Sequence, residues 1–111
     1  MDANYADFVG RLFKTMGTPE ASLMHAAVGI SGEAGELLDT IKKTWVYNKP
    51  LDRANVIEEL GDMFFYTTWL MEFLGISKEE VLTANINKLA VRYPNLKYSD
   101  EAAQARADKL P

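Results

Sequence analysis

The chain has no cysteine among its 111 residues, which excludes a disulfide framework, thiolate chemistry and a cysteine-based zinc site. It has a single histidine, His25. A carboxylate-bridged di-iron bundle wants a Glu-x-x-His motif from each of two helices, and His25 does not lie three residues after any Glu. Long apolar runs are also lacking. The most apolar stretch, from Met63 to Leu74, contains Thr67, Thr68 and Glu72 and is too short to span a bilayer, so no membrane partner is expected. No basic segment followed by an apolar one opens the chain, so no secretory signal is expected, and a reducing cytoplasm is the simplest location. Positive charge is in short supply. The net charge of -4 argues against a binder of nucleic-acid backbone, which would show a basic stripe. A phosphate ligand stays open, because metal ions can bridge carboxylates to phosphate oxygens. Period-two strand patterns, a phosphate-binding G-x-x-x-x-G-K-[ST] loop and a G-x-G-x-x-G fingerprint are absent too.

What is present is helical punctuation. Tyr5, Phe8, Val9, Leu12 and Phe13 predict a first helix over residues 2–16, stopped at Gly17. Thr18, Pro19 and Glu20 form a start signal for a second helix, from about Pro19 to Val46. On it Ala26, Ile30, Ala34, Leu37, Leu38, Ile41 and Trp45 share one arc, the expected inward face, with Glu33 and Glu36 at its border. Gly29, Gly32 and Gly35 lie inside this helix, each costing about 1 kcal/mol relative to Ala. They imply close helix packing, room for a ligand beside the acids, or both. After a loop at Tyr47 to Pro50, Asp52 can cap a third helix that ends at Gly75. Val56, Ile57, Leu60, Met63, Phe64, Trp69, Leu70 and Met71 make it apolar nearly all round, which predicts burial partly by a second subunit. Ser77 and Glu80 form a capping box for a fourth helix, with Val81, Leu82, Ile86 and Leu89 inward and its end at Tyr93 before Pro94. Ser99 can cap a short last helix, Asp100 to Lys109. The expected fold is all-α: a single domain over residues 1–111, an antiparallel bundle of four main helices completed by oligomerisation.

The chemistry concentrates in two matching strings. Glu33-Ala34-Gly35-Glu36-Leu37-Leu38 and Glu59-Leu60-Gly61-Asp62-Met63-Phe64 both read acid, any residue, Gly, acid, apolar, apolar. Acids at i and i+3 lie one turn apart on one face. One such pair is usually a solvated face; two in matching frames at the edge of apolar arcs point to a shared site. Four carboxylates brought together cannot all stay ionised without a cation. Oxygen ligands suit hard ions, so Glu33, Glu36, Glu59 and Asp62 are candidate ligands of Mg²⁺, with Mn²⁺ as a substitute. Glu58, four residues before Asp62, competes with Glu59, and the register of the repeated string favours Glu59. Asn85, Lys88 and Arg92 share a face of the fourth helix and form a candidate phosphate clamp. Lys42, Lys43 and Lys49 are weaker versions of it, with Lys42 and Lys43 angled away from the Glu33 edge. Among the aromatics, Trp45 is a candidate base shelf, while Tyr47, Tyr66 and Trp69 are read chiefly as core. His25 can assist base recognition, though packing is its favoured role.

Gly29 to Leu37, Lys42-Lys43, Val56 to Asp62, Asn85 to Leu89 and Arg92-Tyr93-Pro94 together resemble the MazG-like nucleotide pyrophosphohydrolases of the all-α NTP pyrophosphatase superfamily. The resemblance covers about residues 20 to 100, with the motif-bearing core at about 20–98. It implies Mg²⁺-dependent hydrolysis of a nucleoside triphosphate to monophosphate and pyrophosphate, and a homodimer or homotetramer. Carried over, Glu33, Glu36, Glu59 and Asp62 bind metal, Glu36 also orienting the attacking water, and Asn85, Lys88, Arg92 and Tyr93 hold phosphates. Narrower relatives acting on dUTP, dCTP or phosphoribosyl-ATP share these motifs, and a catalytically silent helical interaction module would share the fold. A deoxypurine such as dGTP is the favoured substrate among the triphosphates.

Overall fold

The computed structural model describes residues 3–95, 98–106 and 108. They form five helices: α1 (Ala3–Leu12), α2 (Pro19–Val46), α3 (Arg53–Leu74), α4 (Lys78–Arg92) and α5 (Asp100–Ala105). No strand occurs among the described residues, and no helix there is long and apolar enough to cross a membrane. The chain divides into two compact units, Met1–Gly75 and Ile76–Pro111.

The long helices begin where their caps dictate. Thr18 accepts the Ala21 N–H at 3.1 Å and Pro19 follows, so α2 starts there. Asp52 accepts the Asn55 N–H at 3.1 Å and starts α3. Gly75 ends α3 in the left-handed region, at φ 66°, which glycine adopts without a Cβ penalty. Ser77 and Glu80 exchange both capping-box bonds, at 3.0 and 3.2 Å. The first helix is shorter than the periodicity predicts. It stops at Leu12, because the next residues serve α2 instead: the Met16 N–H donates to Ser22 Oγ at 2.8 Å, and the Lys14 carbonyl lies 3.1 Å from His25 Nδ1. Asp2, at the expected start of α1, and Lys109, at the expected end of α5, lie outside the described residues. Arg106 ends α5 at φ 49°.

In the first unit, α2 and α3 form an antiparallel hairpin, with α1 packed on α3. The core gathers at one end of the hairpin. Val9, Phe13, Ala26 and Trp69 are buried, with Tyr5, Phe65, Tyr66 and Leu70 packed round them. Phe13 stacks on Trp69 with ring centres 3.8 Å apart. In the second unit, Arg92 Nε donates to Asp108 Oδ1 at 3.0 Å, tying the end of α4 to the segment after α5.

Two expected faces differ in the structure. The contact face of α2 takes only one edge of the apolar arc, where Ala26 is buried as expected. Ser22, Ala26 and Thr40 are buried and Gly29 meets Tyr66 of α3, whereas Leu38, Ile41 and Trp45 are exposed. At about 100° per residue, the face that α3 covers is turned roughly 90° from the arc's centre. Small side chains on this stripe let α3 approach closely, and larger apolar ones would hold it off. On α4, Val81, Leu82, Ile86 and Leu89 are exposed, not inward. Within its own unit α4 has only the six-residue α5 to pack against, too little to cover a face.

Gly29 is the tightest point of the hairpin. A Cβ there would lie 2.4 Å from the Tyr66 ring, including a contact of 2.6 Å at Cγ, the end of the ring nearest the backbone. Gly32 and Gly61 face open space. Gly29→Ala is therefore expected to lower stability by about 1–3 kcal/mol through overpacking, despite alanine's better helix propensity. Gly32→Ala and Gly61→Ala should leave stability unchanged or raise it by up to about 1 kcal/mol. Urea unfolding of the three variants tests the contrast.

Candidate metal centre

The stripe that joins α2 to α3 changes character along the hairpin. From the core end it runs through Ala26 and Gly29 against Tyr66 and Trp69, then becomes acidic. Carboxylate oxygens of Glu33, Glu59 and Asp62 all lie within 4.8 Å of one another. Glu59 is buried, at 9% exposure; Glu33 is half-buried and Asp62 exposed. The spacing that places them is helical: Asn55, Glu59, Asp62, Tyr66 and Trp69 recur at alternating steps of four and three on α3. On α2, Ser22, Ala26, Gly29, Glu33, Leu37 and Thr40 recur at steps of three and four. Glu33 thus sits at the centre of the contact face, not at a border. Glu36 lies off that centre and is exposed.

The electrostatics follow from the crowding. Among the described residues, the ion pairs are Arg11 with Asp7 and Arg92 with Asp108, so no Lys or Arg neutralises Glu33, Glu59 or Asp62. The Glu33 carboxyl is pushed up to about 7 from 4.5. Its hydrogen bond to Glu59 is the largest cause, followed by burial and by the charges of Asp62, Glu59 and Glu36. In the metal-free protein a proton fills the place of a cation.

The donor set fits a hard divalent ion. Three carboxylates offer oxygen ligands and no sulfur or imidazole. Oxygens trans across an octahedral Mg²⁺ are about 4.2 Å apart, so a cluster spanning 4.8 Å closes on the ion with small side-chain shifts. Glu58 is exposed and outside the cluster; Glu59 is the acid that turns toward α2.

A family model, the MazG nucleotide pyrophosphohydrolase domain, matches residues 21–97. The chain belongs to the MazG family. Neither the curated proteins nor the solved structures contain a significant match to it. The matched span of this MazG domain holds both acidic strings and all of α2, α3 and α4 but for the first residues of α2.

The remaining candidates are distributed as follows. His25 lies in the aromatic core, its ring 4.8 Å from Phe13 and 6.1 Å from Tyr66. Trp45 is 85% exposed on the last turn of α2. Asn85 and Lys88 are exposed on α4, Arg92 is engaged by Asp108, and Tyr93 caps α4 with its ring 5.4 Å from Tyr98. Lys43 and Lys49 line a cavity of about 230 Å³ with Thr40, Pro50, Asp52 and Asn55. Thr40 and Asn55, joined across the seam, went unnoticed in the sequence. Their signal was there, since both continue the stripes that carry Glu33 and Glu59.

The raised Glu33 value has a thermodynamic sign. A proton held more tightly in the folded state stabilises it fully below pH 4.5, and that contribution is lost as pH rises through 7. In chelator, the melting temperature of the wild type should fall relative to Glu33→Gln as pH rises from 4.5 to 7, then run parallel. Parallel curves throughout would show that Glu33 titrates normally.

Proposed function

We propose that the chain is a divalent-metal-dependent nucleoside triphosphate pyrophosphohydrolase, converting a (d)NTP to the (d)NMP and pyrophosphate. The observation that carries this reading is the convergence of Glu33, Glu59 and Asp62, unneutralised by any basic side chain among the described residues, in a member of the MazG family.

Glu33, Glu59 and Asp62 would hold Mg²⁺, with Glu36 completing the set from the next turn of α2. A bound Mg²⁺ supplies charge neutralisation at the phosphate oxygens and lowers the pKa of a bound water. Glu36, exposed beside the cluster, accepts the proton of the attacking water and orients it toward the α-phosphorus. The bond from the α-phosphorus to the bridging oxygen breaks, and pyrophosphate departs. Lys88 and Asn85 contribute donors to the phosphates, and Arg92 does so through nitrogens other than the Nε that holds Asp108. Trp45, with most of its ring exposed, offers a surface for the base.

An oligomer belongs to the same reading. Leu38, Ile41 and Trp45 on α2, and Ile57, Leu60 and Phe64 on α3, are exposed. Contiguous apolar faces of this kind mark association surfaces. We infer that a bundle of four main helices is completed by further copies of the chain.

Pyrophosphate release from a panel of NTPs and dNTPs with Mg²⁺, dGTP first, tests the assignment. Turnover is expected, and it should vanish in chelator. Activity confined to dUTP or dCTP would narrow the enzyme, and silence across the panel would leave a helical interaction module. Glu36→Gln and Asp62→Asn should each cut turnover by about 10²–10⁴-fold while circular dichroism stays helical. Near-normal rates would remove those residues from the mechanism.

A further inference from the structure

We propose that Thr40 and Asn55 are positioning residues that hold the two acidic helices in register. The proposal rests on the metal-centre reading above and adds to it the device that fixes the centre's geometry. Thr40 lies one turn beyond Glu36 on α2, and Asn55 one turn before Glu59 on α3. Thr40 is polar yet only 5% exposed. Its hydroxyl donates to the Glu36 carbonyl at 3.1 Å and accepts from Asn55 Nδ2. Asn55 is itself pinned, since its backbone N–H donates to the Asp52 cap at 3.1 Å. A continuous chain of hydrogen bonds therefore runs from the N-cap of α3, across the seam, to the backbone of an acid on α2.

The hairpin needs such a device. Its apolar core lies at the other end, around Phe13 and Trp69. The acids between repel, and repulsion favours any slide or splay that separates them. A slide of one residue moves α2 by about 1.5 Å along its axis. Metal–ligand distances tolerate about 0.2 Å. Apolar contacts near the loop would allow neighbouring registers, whereas this hydrogen-bond chain is satisfied in one. A threonine bonded to the carbonyl four residues back is also a known source of local helix bending. Here that bond falls on the backbone of Glu36 itself.

The test uses the full chain and Mn²⁺ as probe, read by loss of the free Mn²⁺ paramagnetic resonance signal at 25 °C. Thr40→Val keeps the volume and removes the hydroxyl; Thr40→Ser restores it. Asn55→Ala cuts only the cross-helix bond and leaves Thr40 bonded to Glu36. The wild type should bind Mn²⁺. Thr40→Val and Asn55→Ala should bind about tenfold or more weakly while remaining helical, as when outer-shell partners of metal ligands are lost. Thr40→Ser should bind as the wild type does. A purely structural pair would lower the melting temperature and leave the folded protein's Mn²⁺ affinity unchanged; that result overturns the proposal. If Thr40→Val does not fold, the affinity of Asn55→Ala decides the matter. A wild type that binds no Mn²⁺ would overturn the metal-centre reading itself, and the positioning role with it.

Discussion

Like charge across one helical seam is the constraint that governs this molecule. Glu33 and Glu59 face each other from antiparallel helices, with Asp62 within reach of both and no basic side chain among the described residues to neutralise them. A buried carboxylate without a counter-charge is costly, so something positive must enter. In the metal-free state it is a proton, which Glu33 keeps to about pH 7. In the proposed working state it is a divalent ion. An arrangement that costs stability when empty and gains it when filled is expected of a binding site. It would be hard to explain as a solvated face.

That cost has to be met by the rest of the first unit. The buried core is small and sits at the far end of the hairpin, where Phe13 stacks on Trp69. Between core and acids stands the contact of Gly29 with Tyr66, which sets how closely α2 and α3 approach. The three glycines of α2 thus divide. Gly29 serves packing, whereas Gly32 and Gly35 face open space and do nothing for the chain's own interior. Helix propensity argues against both at about 1 kcal/mol each, and no contact within the described residues offsets that cost.

Much of this was legible in the sequence, because local rules decided it. Thr18-Pro19, Asp52, Gly75 and the Ser77–Glu80 box are signals read one turn at a time, and the helix boundaries follow them. The repeated acidic string put Glu59 ahead of Glu58, and Glu59 is the acid that faces α2. What was not legible was which stripe of an apolar helix meets its neighbour. The hydrophobicity of α2 peaks on Leu38, Ile41 and Trp45, yet α3 chooses the adjacent stripe of Ser22, Ala26, Gly29 and Thr40. Hydropathy measures what wants to leave water; close approach depends on what is small. Where both kinds of face lie on one helix, periodicity alone cannot say which partner takes which. The early end of α1 has the same root, since Ser22 and His25 claim the backbone at Met16 and Lys14 through contacts that no local pattern encodes.

The two acidic strings look alike, but the structure makes them unequal, and the inequality bears on mechanism. Residues three apart differ by about 60° around a helix axis, so the two acids of a pair sit at different depths of one contact face. The inner pair, Glu33 and Glu59, takes the centre and loses water; the outer pair, Glu36 and Asp62, keeps it. Desolvated carboxylates are the stronger electrostatic hold on a cation, because little water competes with it there. Solvated ones are the acids that an incoming phosphate and its attacking water can reach. Asp62 belongs to both sets, exposed yet within the 4.8 Å cluster, which suits an acid that contacts metal and substrate together. In the proposed reaction, holding the ion falls to the inner pair and presenting the water to Glu36, and the i, i+3 spacing of one short motif is enough to separate the two tasks.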